Sequence, residues 1–198
     1  MSYEKFTQLT SSAYPLQVEN VDTDQIIPAR FLKAVERRGF GDNLFRDWRY
    51  DRTGQPKPDF VLNNPRYSGK ILVAGKNFGS GSSREHAAWA LYDFGLRAVV
   101  SSFFADIFRN NALNNGILPV VVSPEMLKEA FRATEENPEA EFRIDLEKQE
   151  FTILTSGLTA GFDINPYKKH CLINGLDDID YLVGLKNEID QFEKKQSI

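Results

Sequence analysis

Gly75-Lys76-Asn77-Phe78-Gly79-Ser80-Gly81-Ser82-Ser83-Arg84-Glu85-His86-Ala87-Ala88-Trp89-Ala90-Leu91-Tyr92-Asp93-Phe94-Gly95 is the stretch whose reading decides the fold. Directly before it, Ile71-Leu72-Val73-Ala74 is an unbroken apolar run, as expected of a strand buried on both faces. Beyond it, Ala98-Val99-Val100 is another. A glycine-rich loop and about three turns of helix lie between, so the unit reads as a βαβ crossover.

The loop-to-helix junction carries the chemistry. Ser82 and Glu85 have the spacing of a capping box, which puts Ser82 at the N-cap and Glu85 at the third helical position. Ala87, Ala88, Leu91 and Phe94 form an apolar stripe, and Gly95 stands where a left-handed C-terminal cap belongs. A helix N-terminus offers unpaired N–H groups and partial positive charge to an anion. Gly79 and Gly81 allow backbone to approach a ligand, and Arg84 brings a planar fork suited to a carboxylate. These signals describe a carboxylate site, and they equally describe an ordinary strand–helix junction; the pattern alone leaves both readings open. Two other sites fail on spacing. No lysine follows Gly81 as a Walker loop requires, and Ser83 stands where a hydrolase elbow needs glycine. His86 follows both serines on the same helix, a poor arrangement for a serine–histidine pair.

The rest of the chain sets bounds. Its 198 residues suffice for one sizeable core, and 41% hydrophobic with 26% charged residues describe an ordinary globular protein. A net charge of −4 gives no support for nucleic-acid binding, and any anionic substrate must be held by local positive groups. One cysteine excludes an internal disulfide framework and fits a reducing cytoplasm. With Cys171, His86 and His170 as its only Cys and His residues, the chain cannot by itself hold an iron–sulfur cluster or a zinc ion. No apolar stretch approaches membrane length, and Met1 to Pro15 contains no signal-like run.

In residues 16–32, Asp22-Thr23-Asp24 reads as a polar turn leading into a strand or short helix. Residues 33–69 read as an irregular excursion punctuated by glycine and proline. Its Phe45, Trp48, Tyr50 and Phe60 alternate with arginines, and the acidic total charge argues against nucleic-acid stacking, leaving a packed excursion or a partner surface. Further on, a helix is expected over Ser102–Asn115, ending at Gly116, with Arg109, Asn110, Asn111 and Asn114 serving capping and turns. A strand then follows over Ile117–Val122, and a helix with Ser123 as N-cap and Pro124 at its first position. Phe142, Ile144, Leu146, Phe151 and Ile153 alternate across Glu147–Glu150 as a hairpin. Pro166 opens a helix with His170 and Cys171, which point different ways and read as packing rather than metal ligands. Asp177-Asp178 caps one last helix running through Ile189. The mixture of βα units with an appended hairpin indicates an α/β fold over 1–198, with the 33–69 excursion and a C-terminal helical extension at 166–198.

Six segments in order resemble the small-subunit family of isopropylmalate dehydratases, relatives of aconitase. They are Asn20–Pro28, Gly39-Phe40-Gly41, Pro58–Asn63, the Gly79–Leu91 segment, Leu113–Pro119 and His170–Asp177. The resemblance implies a three-layer β/β/α swivelling domain, and a reaction that moves a hydroxyl between adjacent carbons of 2-isopropylmalate by dehydration and rehydration. It implies a [4Fe–4S] cluster in a separate large subunit, none in this chain, and a small dicarboxylate substrate. Ser82 matches the family's base serine, and Ser83 and Arg84 match its carboxylate binders. Thr23 and Asp24 match the rim of the site; Arg30, Phe31 and Leu32 match a segment that meets the substrate's distinguishing group. The small subunit of a related hydro-lyase acting on homoaconitate or citraconate, and a non-catalytic dicarboxylate-binding module, are the alternative readings.

Overall fold

The computed structural model describes residues 3–32, 39–81 and 84–196. Its first half runs β1 (Gln8–Ser11), β2 (Ala13–Leu16), α1 (Thr23–Ile26), α2 (Arg46–Arg49), β3 (Ile71–Ala74), α3 (Glu85–Asp93), β4 (Ala98–Ser101), α4 (Asp106–Asn114) and β5 (Leu118–Val121). The second runs α5 (Pro124–Glu136), β6 (Phe142–Asp145), β7 (Glu150–Ile153), β8 (Thr159–Gly161), α6 (Pro166–Asn174), α7 (Asp178–Gly184) and α8 (Lys186–Gln196).

Side-chain alternation along the strands explains the layering. β2, β3, β4 and β5 form a parallel sheet in that order, while β1, β6, β7 and β8 form an antiparallel one. Ile71, Val73, Ala98, Val100, Leu118 and Val120 point to one side, where they meet Phe142, Ile144, Phe151 and Ile153 of the second sheet and Leu127 and Ala130 of α5. Leu72, Ala74 and Val99 point to the other side, onto Ala87 and Leu91 of α3 and Phe108 and Ala112 of α4. The parallel sheet is therefore buried on both faces, and the architecture is the three-layer β/β/α arrangement expected from the resemblance.

The βαβ unit and the hairpin, with Asp145 opposite Glu150, stand where the apolar pattern puts them. Other boundaries differ for physical reasons. β1, β2 and β8 carry no signal in the sequence: β1 is polar, β8 is three residues long and β2 contains Pro15. Proline is tolerated there because β2 is an edge strand, as is β5 with its Pro119. The helix expected from Ser102 starts at Asp106, because Phe104 bridges to Phe78 and holds the chain extended. The single C-terminal helix is two, α7 and α8, separated at Leu185.

The described part of the excursion, 39–69, is anchored in the core by its aromatic and leucine side chains. Phe40, Leu44, Phe45 and Leu62 are buried in the helix-side core, and Phe45 stacks on Trp48, so these rings are occupied within the fold. Arg49, buried at 8% exposure, donates to the carbonyls of Gly41 (3.0 Å) and Leu44 (3.3 Å) and to Asn63 Oδ1 (3.1 Å). A buried guanidinium is tolerated only when its donors are satisfied in this way.

Ser123 caps α5 as its position predicts, accepting the Met126 N–H at 3.1 Å, with Pro124 opening the helix. Ser123→Ala is expected to lower the unfolding free energy by about 1 kcal/mol. Urea denaturation checks this, and an unchanged midpoint would show that the cap contributes nothing.

Candidate active site

Beyond the end of β3 the chain is clasped to a distant segment. Gly79 and Ser80 donate their N–H groups to the Val21 carbonyl at 2.8 and 3.1 Å, and the Thr23 N–H returns to the Ser80 carbonyl at 2.9 Å. Asp22 and Ser80 form an isolated parallel bridge there. Gly79 sits at φ +79°, and a Cβ on it would fall 2.1 Å from Phe108 Cγ, so only glycine lets the loop lie on α4. Gly81, at φ +93°, is exposed beside Asp22 and Thr23.

This clasp brings the 22–24 segment to the start of α3. Asp22 is the N-cap of α1, closed reciprocally with Gln25. Thr23 is buried at 2% exposure, while Asp24 projects outward and pairs with Nη1 of Arg84. The Arg84 side chain is mostly buried, at 16% exposure against 53% for Asp24. Arg84 itself is the N-cap of α3, with extended backbone at φ −122° and ψ 104°, which corrects the capping box expected from the sequence. The helix cannot start before Glu85, so Glu85 is its first residue and not its third. Ser82 and Ser83 lie outside the described residues. The C-terminus of α3 follows expectation: Gly95 takes φ +107°, its N–H reaches Tyr92 and the Leu96 N–H reaches Leu91, a Schellman closure.

Arg30, Phe31 and Leu32 form a second group. Arg30 grips Asp47 with both terminal nitrogens, Nη1 at 3.0 Å from Oδ2, and lies 4.7 Å from the Phe31 ring centre. The hydrogen bond from Arg30 holds the Asp47 carboxyl below the usual carboxylate range. Both partners are more than half exposed, so the pair contributes little to stability. They line an open cleft of about 780 Å³ with Phe31, Arg46, Tyr50 and Lys57. Phe31 and Leu32 rest half-buried on the helix-side core.

Asn115, which sequence reasoning did not single out, underpins the start of α3. Its side chain is buried and bonds to Glu85 and Trp89 of α3. In the sequence it is hidden in Asn114-Asn115-Gly116, which reads as an ordinary helix end.

Among the described residues, no three His, Cys, Asp or Glu side chains come together in a way that could hold a metal ion. Cys171 is buried and burial pushes its thiol up, whereas the neighbouring His170 is exposed. No helix among the described residues is long and apolar enough to cross a membrane.

Residues 3–125 match the family model of the aconitase C-terminal domain. The chain is 62% identical to the 3-isopropylmalate dehydratase small subunit of Cytophaga hutchinsonii, covering 96% of this chain and 95% of that one. It is 60% identical to the protein of the same name from Christiangramia forsetii, covering 98% and 94%. The crystal structure of 3-isopropylmalate dehydratase from Methanocaldococcus jannaschii superposes with a TM-score of 0.66 at 28% identity, over 94% of this chain and 99% of that chain. With the β/β/α layers and the Asp24–Arg84 pair in place, these likenesses show that the chain belongs to the aconitase C-terminal domain family, among the 3-isopropylmalate dehydratase small subunits.

Proposed function

We propose that this chain supplies half of the active site that isomerises 2-isopropylmalate to 3-isopropylmalate, completed by a large subunit. The observation that carries the reading is the Asp24–Arg84 pair at the start of α3, in a chain 62% identical to a named small subunit. Arg84 is mostly buried and already oriented by Asp24, so little of its freedom remains to be lost when a substrate carboxylate arrives. The N-terminal end of the α3 dipole adds partial positive charge on the same side.

Ser82 acts as the base. Dehydration removes a proton from the CH2 carbon and hydroxide from the neighbouring carbon, leaving an alkene and water. Rehydration returns the proton and hydroxyl to the exchanged carbons, so Ser82 takes a proton and gives it back. A serine hydroxyl is a poor base at neutral pH, and the positive charge of Arg84 and of the α3 terminus favours its ionised form. A [4Fe–4S] cluster held by the large subunit would supply the Lewis acidity that the departing hydroxyl needs; this chain, with its single cysteine, has no ligand set for one. Ser83 joins Arg84 in holding carboxylate, and Thr23 backs Asp24. Phe31 and Leu32 offer apolar surface to the isopropyl group, and Arg30 stands beside them. The free thiol of Cys171 suits a reducing cytoplasm.

The test is anaerobic dehydration of 2-isopropylmalate by this chain, by the cluster-loaded large subunit, and by their mixture. Turnover is expected only in the mixture. An assembled, cluster-loaded complex that ignores 2-isopropylmalate but turns over citraconate or homoaconitate would reassign the substrate. Failure of the chains to associate would remove the shared-site reading.

A further inference from the structure

α4 supports the candidate site from both ends. Near its start, Phe108 lies under the Gly79 loop; just past its end, Asn115 lies under the first turn of α3. The Asn115 carboxamide uses every hydrogen-bonding position it has. Nδ2 donates to Glu85 Oε1 at 3.1 Å and to the Asn111 carbonyl at 2.8 Å. Oδ1 accepts from Trp89 Nε1 at 2.9 Å and from the Tyr3 hydroxyl at 3.1 Å. An indole can only donate, so the orientation of the amide is fixed by its partners. Glu85 and Trp89 are four residues apart and share one face of α3. Two bonds from one rigid amide therefore fix both the height and the rotation of the helix start, and Arg84 is the next residue outward.

We propose that Asn115 is a positioning residue for the isomerisation, acting through Glu85 and Trp89 to aim Arg84. The inference rests on the active-site reading above. Misplacing reacting groups by about 1 Å can cost on the order of 100-fold in rate. Asn115→Ala in the assembled complex is accordingly expected to lower kcat by about 10- to 100-fold, with a smaller change in KM.

A purely structural role would lower the unfolding midpoint and leave kcat untouched at temperatures well below it. Glu85→Ala guards against a folding failure, because Glu85 is exposed. It should lower kcat by a smaller factor, and the double variant should lose no more than Asn115→Ala alone, since both remove the same grip.

Unchanged kcat in Asn115→Ala or multiplicative losses in the double variant would each overturn the proposal. An inactive wild-type complex would sink the active-site reading and this inference together; an active wild type with an unaffected Asn115→Ala would sink the inference alone.

Discussion

Ser82→Ala is expected to reduce kcat of the assembled complex by roughly two to four orders of magnitude, the range that a positioned general base contributes. KM should move far less, because Arg84 keeps its place against Asp24. The sequence alone makes Ser82 a helix cap, whose loss would cost about 1 kcal/mol and confuse lost folding with lost chemistry. The structure makes Arg84 the N-cap of α3 and Glu85 its first residue, and the urea midpoint of Ser82→Ala separates lost folding from lost chemistry. Stopped assays on the purified complex, with gel filtration as the check on assembly, separate the possibilities. Retained turnover would reject Ser82 as the base, and loss of assembly would make it a docking residue.

Gly79→Ala is expected to destabilise the chain by about 2–5 kcal/mol. Two costs add: about 1–2 kcal/mol for a side chain in the left-handed region, and about 1–3 kcal/mol for forcing a methyl into a packed core. The second cost is specific to this place, since the new Cβ would meet Phe108 at 2.1 Å. Gly95→Ala supplies the contrast: its φ is +107° but nothing lies within 4 Å, so only the backbone cost should appear. Urea denaturation of both variants decides the matter. Equal losses would mean that the loop does not rest on Phe108 in solution. A further expectation is that Gly79→Ala loses activity even where folded, because the loop clasps Val21 and Thr23.

The parts of this fold that could be read from sequence are those governed by short-range rules. Ile71–Ala74 and Ala98–Val100 announce buried strands by composition, Ser123-Pro124 announces a helix start, and Gly95 a helix end. What could not be read depends on partners distant in the chain. β1 is legible only once β6 lies beside it, and Pro15 is acceptable only because β2 is an edge. The same divide runs through the site. Asp24 and Arg84 could each be named from motif resemblance, but their pairing crosses 60 residues and no local pattern predicts it. Asn115 was missed because helix ends are full of asparagines, and its role comes from Glu85 and Trp89, which sequence spacing does not connect to it.

The antiparallel sheet has a consequence for how the protein is made. β1 lies at the N-terminal end, yet its partner β6 begins at Phe142. During synthesis at about 5–20 residues per second, β1 and the apolar face of the parallel sheet wait several seconds for their cover. Through that interval Ile71, Val73, Val100 and Val120 have no second sheet to meet. Folding dominated by such long-range pairing is slow and exposes strand edges to other chains. A nascent chain stalled before β6 is therefore the species most in need of a chaperone, and the hazard is set by strand order rather than by final stability.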